Sequence, residues 1–579
     1  MMDIVAQIPP RATRVVELGV SREKAGEAFL RIQPKAEYWG ITDEMEVLKE
    51  VGRGLTHAAF VLPEELDFEK LGLDEVDVLI IRGRFLRGLT AARLRKWAEI
   101  LKDDGQLILD IPNPAYLRAY LERLLGEQTD RGNEGFSASA VRKLVAESGL
   151  HVLSARAIYA DQQDRELRQS PEGKALLEGL MNMMGRLGAK FTQEKDPWLQ
   201  SFLFKVGKRP LAQQDRFHIQ AILGEVLVCA PKRVKEPNDF IVTEPAVTAQ
   251  SLPKGQPAVS VPQGIRQKVL LRQRMTYESP EKAFKVAKSA RREGWLMVSE
   301  MDDNPGGFEG GKLTDTQVVS YMATHCIQVS TELLAEVMRQ YNPHVQVFSN
   351  HLKELPDKRD YEAEWLRKQG EDYVTFFFGA LNRTQEWQEV MPVLREAIGK
   401  YGSRLRFKVL SDRPFYEALP TEHKEFIGSK EMYDWQFVPY HMYTAALHSS
   451  DIAFLPLRDT AFNRTKSDLK FIESAGHGAV VLASPTVYES TVKDGRNGFI
   501  YRNPREFNEY LTLLIEDRAR RIETAEAAWR YVRDERLLSS HYLERLDWYR
   551  EMLARRPELD REMMQRLTDW WNKHGESEM

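Results

Sequence analysis

One run gathers most of the side chains able to handle a charged substrate: Phe462-Asn463-Arg464-Thr465-Lys466-Ser467-Asp468-Leu469-Lys470-Phe471-Ile472-Glu473. Thr465 with Asp468 three residues on fits a capping box, and Gly476 and Gly478 supply helix stops. On the helix this predicts, Lys466, Lys470, Glu473 and His477 are spaced 4, 3 and 4 apart and share one face. Leu469, Ile472 and Gly476 share the neighbouring face and pack inward. A helix start with two ammonium groups and free backbone N–H groups attracts phosphate. A glutamate one or two turns deeper can accept hydrogen bonds from sugar hydroxyls. The same spacing equally fits an exposed salt-bridge face joining Lys466 or Lys470 to Glu473.

The elements that must position this run follow from a recurring pattern of short apolar strand, turn and amphipathic helix, the signature of parallel sheets flanked by helices. At 579 residues the chain is too long for one ordinary domain. The pattern divides it into an α/β block over 1–210, a second over 211–366, a third over 367–515, and charged helices over 516–579. Strands are expected at Val15–Leu18, Tyr38–Ile41, Val76–Ile81, Gln106–Ile111, Val152–Ala155 and Ser201–Val206 in the first block. The second has Val226–Cys229, Lys268–Leu271, Trp295–Ser299, Cys326–Val329 and Val345–Phe348, with Val247–Gly264 as loop and edge. The third has Tyr373–Phe378, Arg406–Leu410, Ile452–Leu455, Ala479–Leu482 and Gly498–Tyr501. Helices are expected at Ala91–Leu101 and Ser139–Ser148, an inserted helix and loop within Gln162–Asp196, and terminal helices pinned back by Trp529, Tyr531, Tyr542, Trp548 and Tyr549.

Composition excludes several classes. With 42% hydrophobic and 29% charged residues the chain is not a disordered one. Lys plus Arg is 82 against 86 Asp plus Glu, so the net charge of −4 argues against a nucleic-acid partner. The two cysteines, Cys229 and Cys326, sit in no metal-like cluster, which points to a reducing cytoplasm. Neither a signal peptide nor a spanning helix is expected; a peripheral membrane contact is compatible with the sequence.

The run above, with the preceding Ser450-Asp451-Ile452-Ala453-Phe454-Leu455-Pro456-Leu457 and the following Ala475–Ser484 and Val492–Phe499, resembles the nucleotide-diphosphate-sugar site of family 4-type glycosyltransferases of the GT-B fold, bacterial surface-polysaccharide enzymes among them. The resemblance spans roughly residues 215–515. It implies a two-lobed GT-B unit whose second lobe, 367–515, binds the donor. Glu473 would hold the donor's ribose, and Lys466 and Lys470 its pyrophosphate. The family's second glutamate, eight residues earlier, is here Thr465, flanked by Asn463 and Ser467 as further donor contacts. Phe378-Gly379-Ala380-Leu381-Asn382-Arg383 looks like the glycine turn that approaches donor phosphates, with Gly379, Asn382 and Arg383 as its binding residues. In the acceptor lobe, 211–366, Asp302 and Asp303 end a strand and would hydrogen-bond the acceptor rather than hold a metal. The implied reaction is metal-independent transfer with retention, onto a glycan, a lipid-linked precursor or a surface protein, in the cytoplasm or at the inner face of the membrane. His325, His351 and His441 are candidate bases by residue type alone.

The first block resembles a class I S-adenosylmethionine-dependent methyltransferase over about residues 10–208, from Arg14–Ser21, Leu101–Asn113 and Phe136–Leu150. That resemblance implies Glu17 and Gly19 at a cofactor turn and S-adenosylmethionine as cofactor. The pattern departs at two points: Val20, Ser21 and Arg22 replace the rest of the glycine run, and Thr42 with Asp43 stands where an acidic residue would bind ribose. Arg82, Arg84 and Arg87 follow the fourth strand. Two alternatives to a glycosyltransferase with a silent first block stay open: a bifunctional enzyme that also methylates, and an inactive GT-B scaffold acting as a binding module.

Overall fold

The computed structural model describes residues 4–113, 115–117, 136–159, 162–186, 188, 196–224, 229–256, 261–307, 312–380, 383–428 and 438–574. The chain is α/β throughout and forms two compact units, Met1–Arg216 with Val242–Ala246, and Phe217–Ile241 with Val247–Met579. Among the described residues no helix is long and apolar enough to cross a membrane.

The first unit holds a seven-stranded sheet of β1 (Arg14–Leu18), β2 (Glu37–Thr42), β3 (His57–Phe60), β4 (Val76–Ile81), β5 (Leu101–Pro112), β6 (His151–Ile158) and β7 (Ser201–Gly207). Its order is β3-β2-β1-β4-β5-β7-β6, parallel except that β7 runs antiparallel to both β5 and β6. The central strands are buried nearly end to end, which is why they read as continuous apolar runs. The edge strand β3 is almost wholly exposed and shows no such run, so the sequence does not reveal it. The helix expected at Ala91–Leu101 ends at Ala98, and Leu101 opens β5. Between β6 and β7 the expected inserted helix is two, Gln162–Gln169 and Pro171–Arg186; residues 187 and 189–195 of that stretch lie outside the described residues.

The second unit contains two six-stranded, wholly parallel sheets. One comprises β8 (Phe217–Leu223), β9 (Val247–Pro253), β10 (Gln267–Gln273), β11 (Trp295–Met301), β12 (Cys326–Val329) and β13 (Val345–Val347), in the order β13-β12-β11-β10-β8-β9. The expected strand Val226–Cys229 is not its first strand: β8 is, Cys229 stands in the helical segment that follows, and 225–228 lie outside the described residues. Val247–Pro253 is the edge strand the stretch suggested. The other sheet comprises β14 (Val374–Phe378), β15 (Leu405–Leu410), β16 (Lys424–Ile427), β17 (Ile452–Leu455), β18 (Val480–Ala483) and β19 (Phe499–Ile500), in the order β16-β15-β14-β17-β18-β19. Strand β16 is another partly exposed edge that the sequence pattern hides.

The terminal helices tie this unit together. Pro504–Glu516 and Arg518–Glu535 lie on the third sheet, with Phe507 and Leu511 packed in the cluster of Phe376 and Phe454. Tyr542–His574 returns to the second sheet: Met563 and Leu567 join Ala287 and Met297, and the Tyr549 hydroxyl donates to Gln328 Oε1 at 2.8 Å. Tyr542, Trp548 and Tyr549 are buried, and Trp529 and Tyr531 pack against the core that includes Phe471.

Within the first unit, Lys205 on β7 is 1% exposed and donates to the Thr243 carbonyl. Burial pushes its ammonium down to about 7, against the opposing charge of Glu244. An unfolded lysine holds its proton to about pH 10.4. Between those values the unfolded state binds more protons, so stability rises with pH. Urea unfolding of the first unit is expected to steepen by up to about 1.4 kcal/mol per pH unit from pH 7 to 9. Lys205→Met should flatten that slope; an unchanged slope would contradict the assignment.

Candidate functional site

In doubly wound sheets, ligands bind at the carboxyl ends of the strands where the order reverses. That point lies between β14 and β17 in the third sheet, between β8 and β10 in the second, and between β1 and β4 in the first. Gly379 and Arg383 follow β14, the 463–473 run follows β17 and Gly19 follows β1, whereas Asp302 and Asp303 follow β11, one strand beyond the second sheet's reversal.

In the third sheet, β14 leads into Gly379 and Arg383; Asn382 lies outside the described residues. A Cβ on Gly379 would come within 2.4 Å of the buried Phe377 ring, so packing alone demands glycine there. Strand β17 leads into the run carrying Asn463 to Glu473, but not as one helix. Ala461–Arg464 forms a short helix whose C-cap is Thr465, and a new helix spans Leu469–Gly476 with Asp468 as its N-cap. The expected capping box does not form. The Thr465 hydroxyl donates back to the Phe462 carbonyl at 2.7 Å. The Asp468 carboxylate is held by Arg536 at 2.6 and 2.9 Å and by the Thr491 hydroxyl at 2.8 Å. Lys466 therefore precedes the helix and does not share a face with Lys470 and Glu473.

Glu473 is buried and accepts from two phenols, Tyr440 at 3.1 Å on Oε1 and Tyr443 at 3.0 Å on Oε2. Burial and the Glu473 charge hold the Tyr443 pKa far above its usual range, and the Glu473 and Glu236 charges push the 45% exposed Tyr440 the same way, which keeps both donors. Lys470 lies over the Tyr443 ring at 4.7 Å, with its Nζ 3.5 Å from the phenol oxygen. Burial holds its pKa below the ordinary lysine range; Glu473 opposes that shift and Arg383 adds to it, which sets all three charges within electrostatic reach. From the second sheet's side, Lys232 sits 4.3 Å above the Tyr440 ring and pairs with Glu236 at 2.9 Å. Burial raises the Glu236 pKa, with Lys232 opposing. No local pattern marks Lys232 or Glu236, and Tyr440 and Tyr443 stand out only as an i, i+3 pair of one helix.

The loop before that helix is stitched to the second sheet's lobe. Lys466 Nζ lies 2.6 Å from Asp303 Oδ1, the Thr331 hydroxyl donates to the Thr465 carbonyl at 2.7 Å, and Asn350 Nδ2 donates to Ser467 Oγ at 2.7 Å. Asn463 turns inward, donating to the Arg458 carbonyl at 3.0 Å. Asp302 and Asp303 are both bound by Arg274, at 2.5 and 2.6 Å. Among the described residues no group of three or more His, Cys, Asp or Glu side chains is placed to hold a metal ion. His325 has both ring nitrogens engaged, with the Met297 amide and Asp560, so it is structural. His351 stacks on His541 at 3.8 Å, and burial next to that ring and several arginines brings its pKa down to about 2. His441 is exposed on the helix Tyr440–His448.

In the first sheet, Glu17 is the next-to-last residue of β1 and is 1% exposed. Its oxygens take the Tyr38 hydroxyl at 2.7 Å and Arg82 at 3.4 Å. Arg82, following β4, also pairs with Glu23 at 2.7 Å and Asp110 at 3.2 Å. Gly19 has φ +86°, and a Cβ there would lie 2.3 Å from the Arg82 carbonyl oxygen. The glycine thus admits this chain's own Arg82 backbone at the reversal point. Arg84 reaches Asp43 at 3.4 Å and Arg87 is exposed.

A family described as glycosyl transferase-like matches residues 392–547. No curated protein matches the chain in sequence. Among solved structures it is similar to a glycosyltransferase from Rickettsia africae, at 10% identity and a TM-score of 0.41, covering 58% of this chain and 99% of that one. Anabaena HepE, solved with UDP, is similar at 13% identity and a TM-score of 0.38, over 57% and 98% of the two chains. Staphylococcus aureus TarM, solved with fondaparinux, alpha-GlcNAc-glycerol and UDP, is similar at 10% identity and a TM-score of 0.36, over 49% of this chain. This chain spans only 55% of the length of that TarM chain.

Arg82 neutralises carboxylates that burial would otherwise strand. Arg82→Met should destabilise the first unit by about 3–5 kcal/mol, the usual cost of removing one partner of a buried pair. Arg82→Lys should recover only part, since the planar fork is lost. Chemical denaturation followed by a probe in the first unit measures both, and a loss under about 1 kcal/mol would mean the network is solvent-screened.

Proposed function

We propose that the chain is a glycosyltransferase that moves a sugar from a nucleotide-diphosphate donor to a glycan, lipid-linked or protein acceptor. The observation carrying this reading is the group of Arg383, Lys470 and Glu473 at the reversal point of the third sheet. The match of residues 392–547 to the glycosyl transferase-like family supports it independently.

Two cations and a carboxylate suit a nucleoside diphosphate. Lys470 and Arg383 would take the pyrophosphate, and Glu473 the ribose hydroxyls, exchanging the Tyr440 and Tyr443 phenols for them. As the bond from sugar to phosphate breaks, negative charge grows on the leaving diphosphate. Preset cations in a half-buried site stabilise that charge with little reorganisation. Thr465 stands where the family has a sugar-binding glutamate, so its hydroxyl, already donated to Phe462, leaves the sugar pocket with one fewer carboxylate. A family 4-like course with retention follows from the resemblance, with a donor phosphate oxygen taking the acceptor proton. A cytoplasmic site of action, in contact with the inner membrane face for a lipid-linked acceptor, fits such chemistry.

The first block is a methyltransferase-like scaffold in this reading. S-adenosylmethionine does not fit it: the place where Gly19 would admit a cofactor is taken by the Arg82 backbone, and Glu17 is occupied by Tyr38 and Arg82. The reading is therefore of a single transferase rather than a bifunctional enzyme.

Thermal-shift titration with a panel of nucleoside diphosphates is expected to raise the midpoint for at least one base, a ligand at 100 times its Kd adding about 2.7 kcal/mol to the native state. Lys470→Ala should remove that response. Failure of every nucleoside diphosphate to shift the wild type would leave an inactive scaffold as the better account. S-adenosylmethionine and S-adenosylhomocysteine should produce no shift, and a shift with either would restore the bifunctional alternative.

A further inference from the structure

Resting on the donor site just proposed, the geometry points to Asp303 as a latch that holds Lys466 away from the donor diphosphate and is itself set in place by Arg274. Lys466 is the one cation of the 462–473 run bound by a carboxylate from the second sheet's lobe, Nζ to Asp303 Oδ1 at 2.6 Å. The other oxygen of the same carboxylate, Oδ2, receives Arg274 Nη2 at 2.6 Å, and Arg274 Nε reaches Asp302 at 2.5 Å. Asp303 is thus gripped from both sides, by a fixed cation of its own lobe and by an exchangeable one from the donor lobe.

Arg274 is built to be the fixed partner. It follows β10 with φ +49°, a left-handed conformation that a residue with a Cβ adopts only when its surroundings impose it. The surroundings here are specific. The Arg274 amide donates to the Glu300 carbonyl at 2.9 Å, and Gly224 across the reversal point lies so close that a Cβ on it would meet the Arg274 carbonyl oxygen at 2.8 Å. The twist aims the guanidinium at the turn after β11, where Asp302 and Asp303 stand. Lys466 has no such fixture. It precedes the helix, lies 4.4 Å over the Phe462 ring, and its ammonium carries three donors of which one is used on Asp303.

A diphosphate arriving beside Lys470 competes for that ammonium with more charge than a single carboxylate offers. When Lys466 transfers, Asp303 Oδ1 is released as an acceptor on the second lobe while Arg274 keeps its orientation. Donor occupancy is thereby reported to the side where Asp303 was expected to meet the acceptor.

The test is calorimetric titration of the full chain with pyrophosphate and with UDP, GDP and ADP. Asp303→Asn should tighten binding about tenfold, within the 5–150-fold span usual for coupled sites. In a Lys466→Ala background the same change should gain nothing. Arg274→Gln should erase the Lys466-dependent difference and Arg274→Lys restore part of it, which a purely structural role would not produce. Asp303→Ser serves as a second variant where the amide disturbs the turn. Wild-type binding that Asp303→Asn leaves unchanged, weakens, or tightens equally without Lys466 would overturn the latch while leaving the donor site standing. Binding by neither the wild type nor Asp303→Asn would overturn the donor site and the latch together.

Discussion

An arginine at the carboxyl end of a parallel sheet is the constraint on which this molecule turns. Each of the three sheets reverses its strand order beside its first strand, and close behind each such reversal stands a guanidinium: Arg82 after β4, Arg274 after β10 and Arg383 in the turn after β14. A planar cation that stays charged must find acceptors wherever it is placed. What it finds decides what each block can do. Arg82 finds Glu17, Glu23 and Asp110 and closes its own site. Arg274 finds two aspartates and fixes them. Arg383 has Glu386 at 3.8 Å and lies within electrostatic reach of Lys470 and Tyr488.

The lobes of the second unit are joined through the same logic. The loop between the short helix and Leu469–Gly476 gives its backbone and side chains to partners on the other lobe, Thr331, Asn350 and Asp303, while Asp468 is taken by Arg536. Arg536 also donates to the Asn350 carbonyl at 3.0 Å. A loop fastened from several directions fixes the start of the Lys470 helix against the second sheet's lobe. Preorganisation of that kind is what makes electrostatic stabilisation effective.

Much of this architecture was legible in the sequence because parallel strands buried on both faces spell themselves out as apolar runs. Ile452–Leu455 and Cys326–Val329 were readable to the residue for that reason. His57–Phe60 and Lys424–Ile427 were not, since an edge strand needs a neighbour's hydrogen bonds more than burial. The helix expected from Thr465 failed on a long-range cause: its capping carboxylate belongs to Arg536, 68 residues away. Lys466, Lys470 and Glu473 could be singled out by type and spacing. Tyr440 and Tyr443, the partners of Glu473, come from another helix, and Arg274 acts through a backbone conformation, neither of which leaves a mark in the 462–473 run.

Hydrogen exchange of the full chain with and without a nucleoside diphosphate tests the central claim most directly, because it reports where the ligand sits as well as whether it binds. The account predicts slowed exchange in the segments 383–388, 440–445 and 466–476, with the first unit unchanged. Protection confined to the segments around Gly19 and Arg82, or no protection anywhere at saturating ligand, would contradict it.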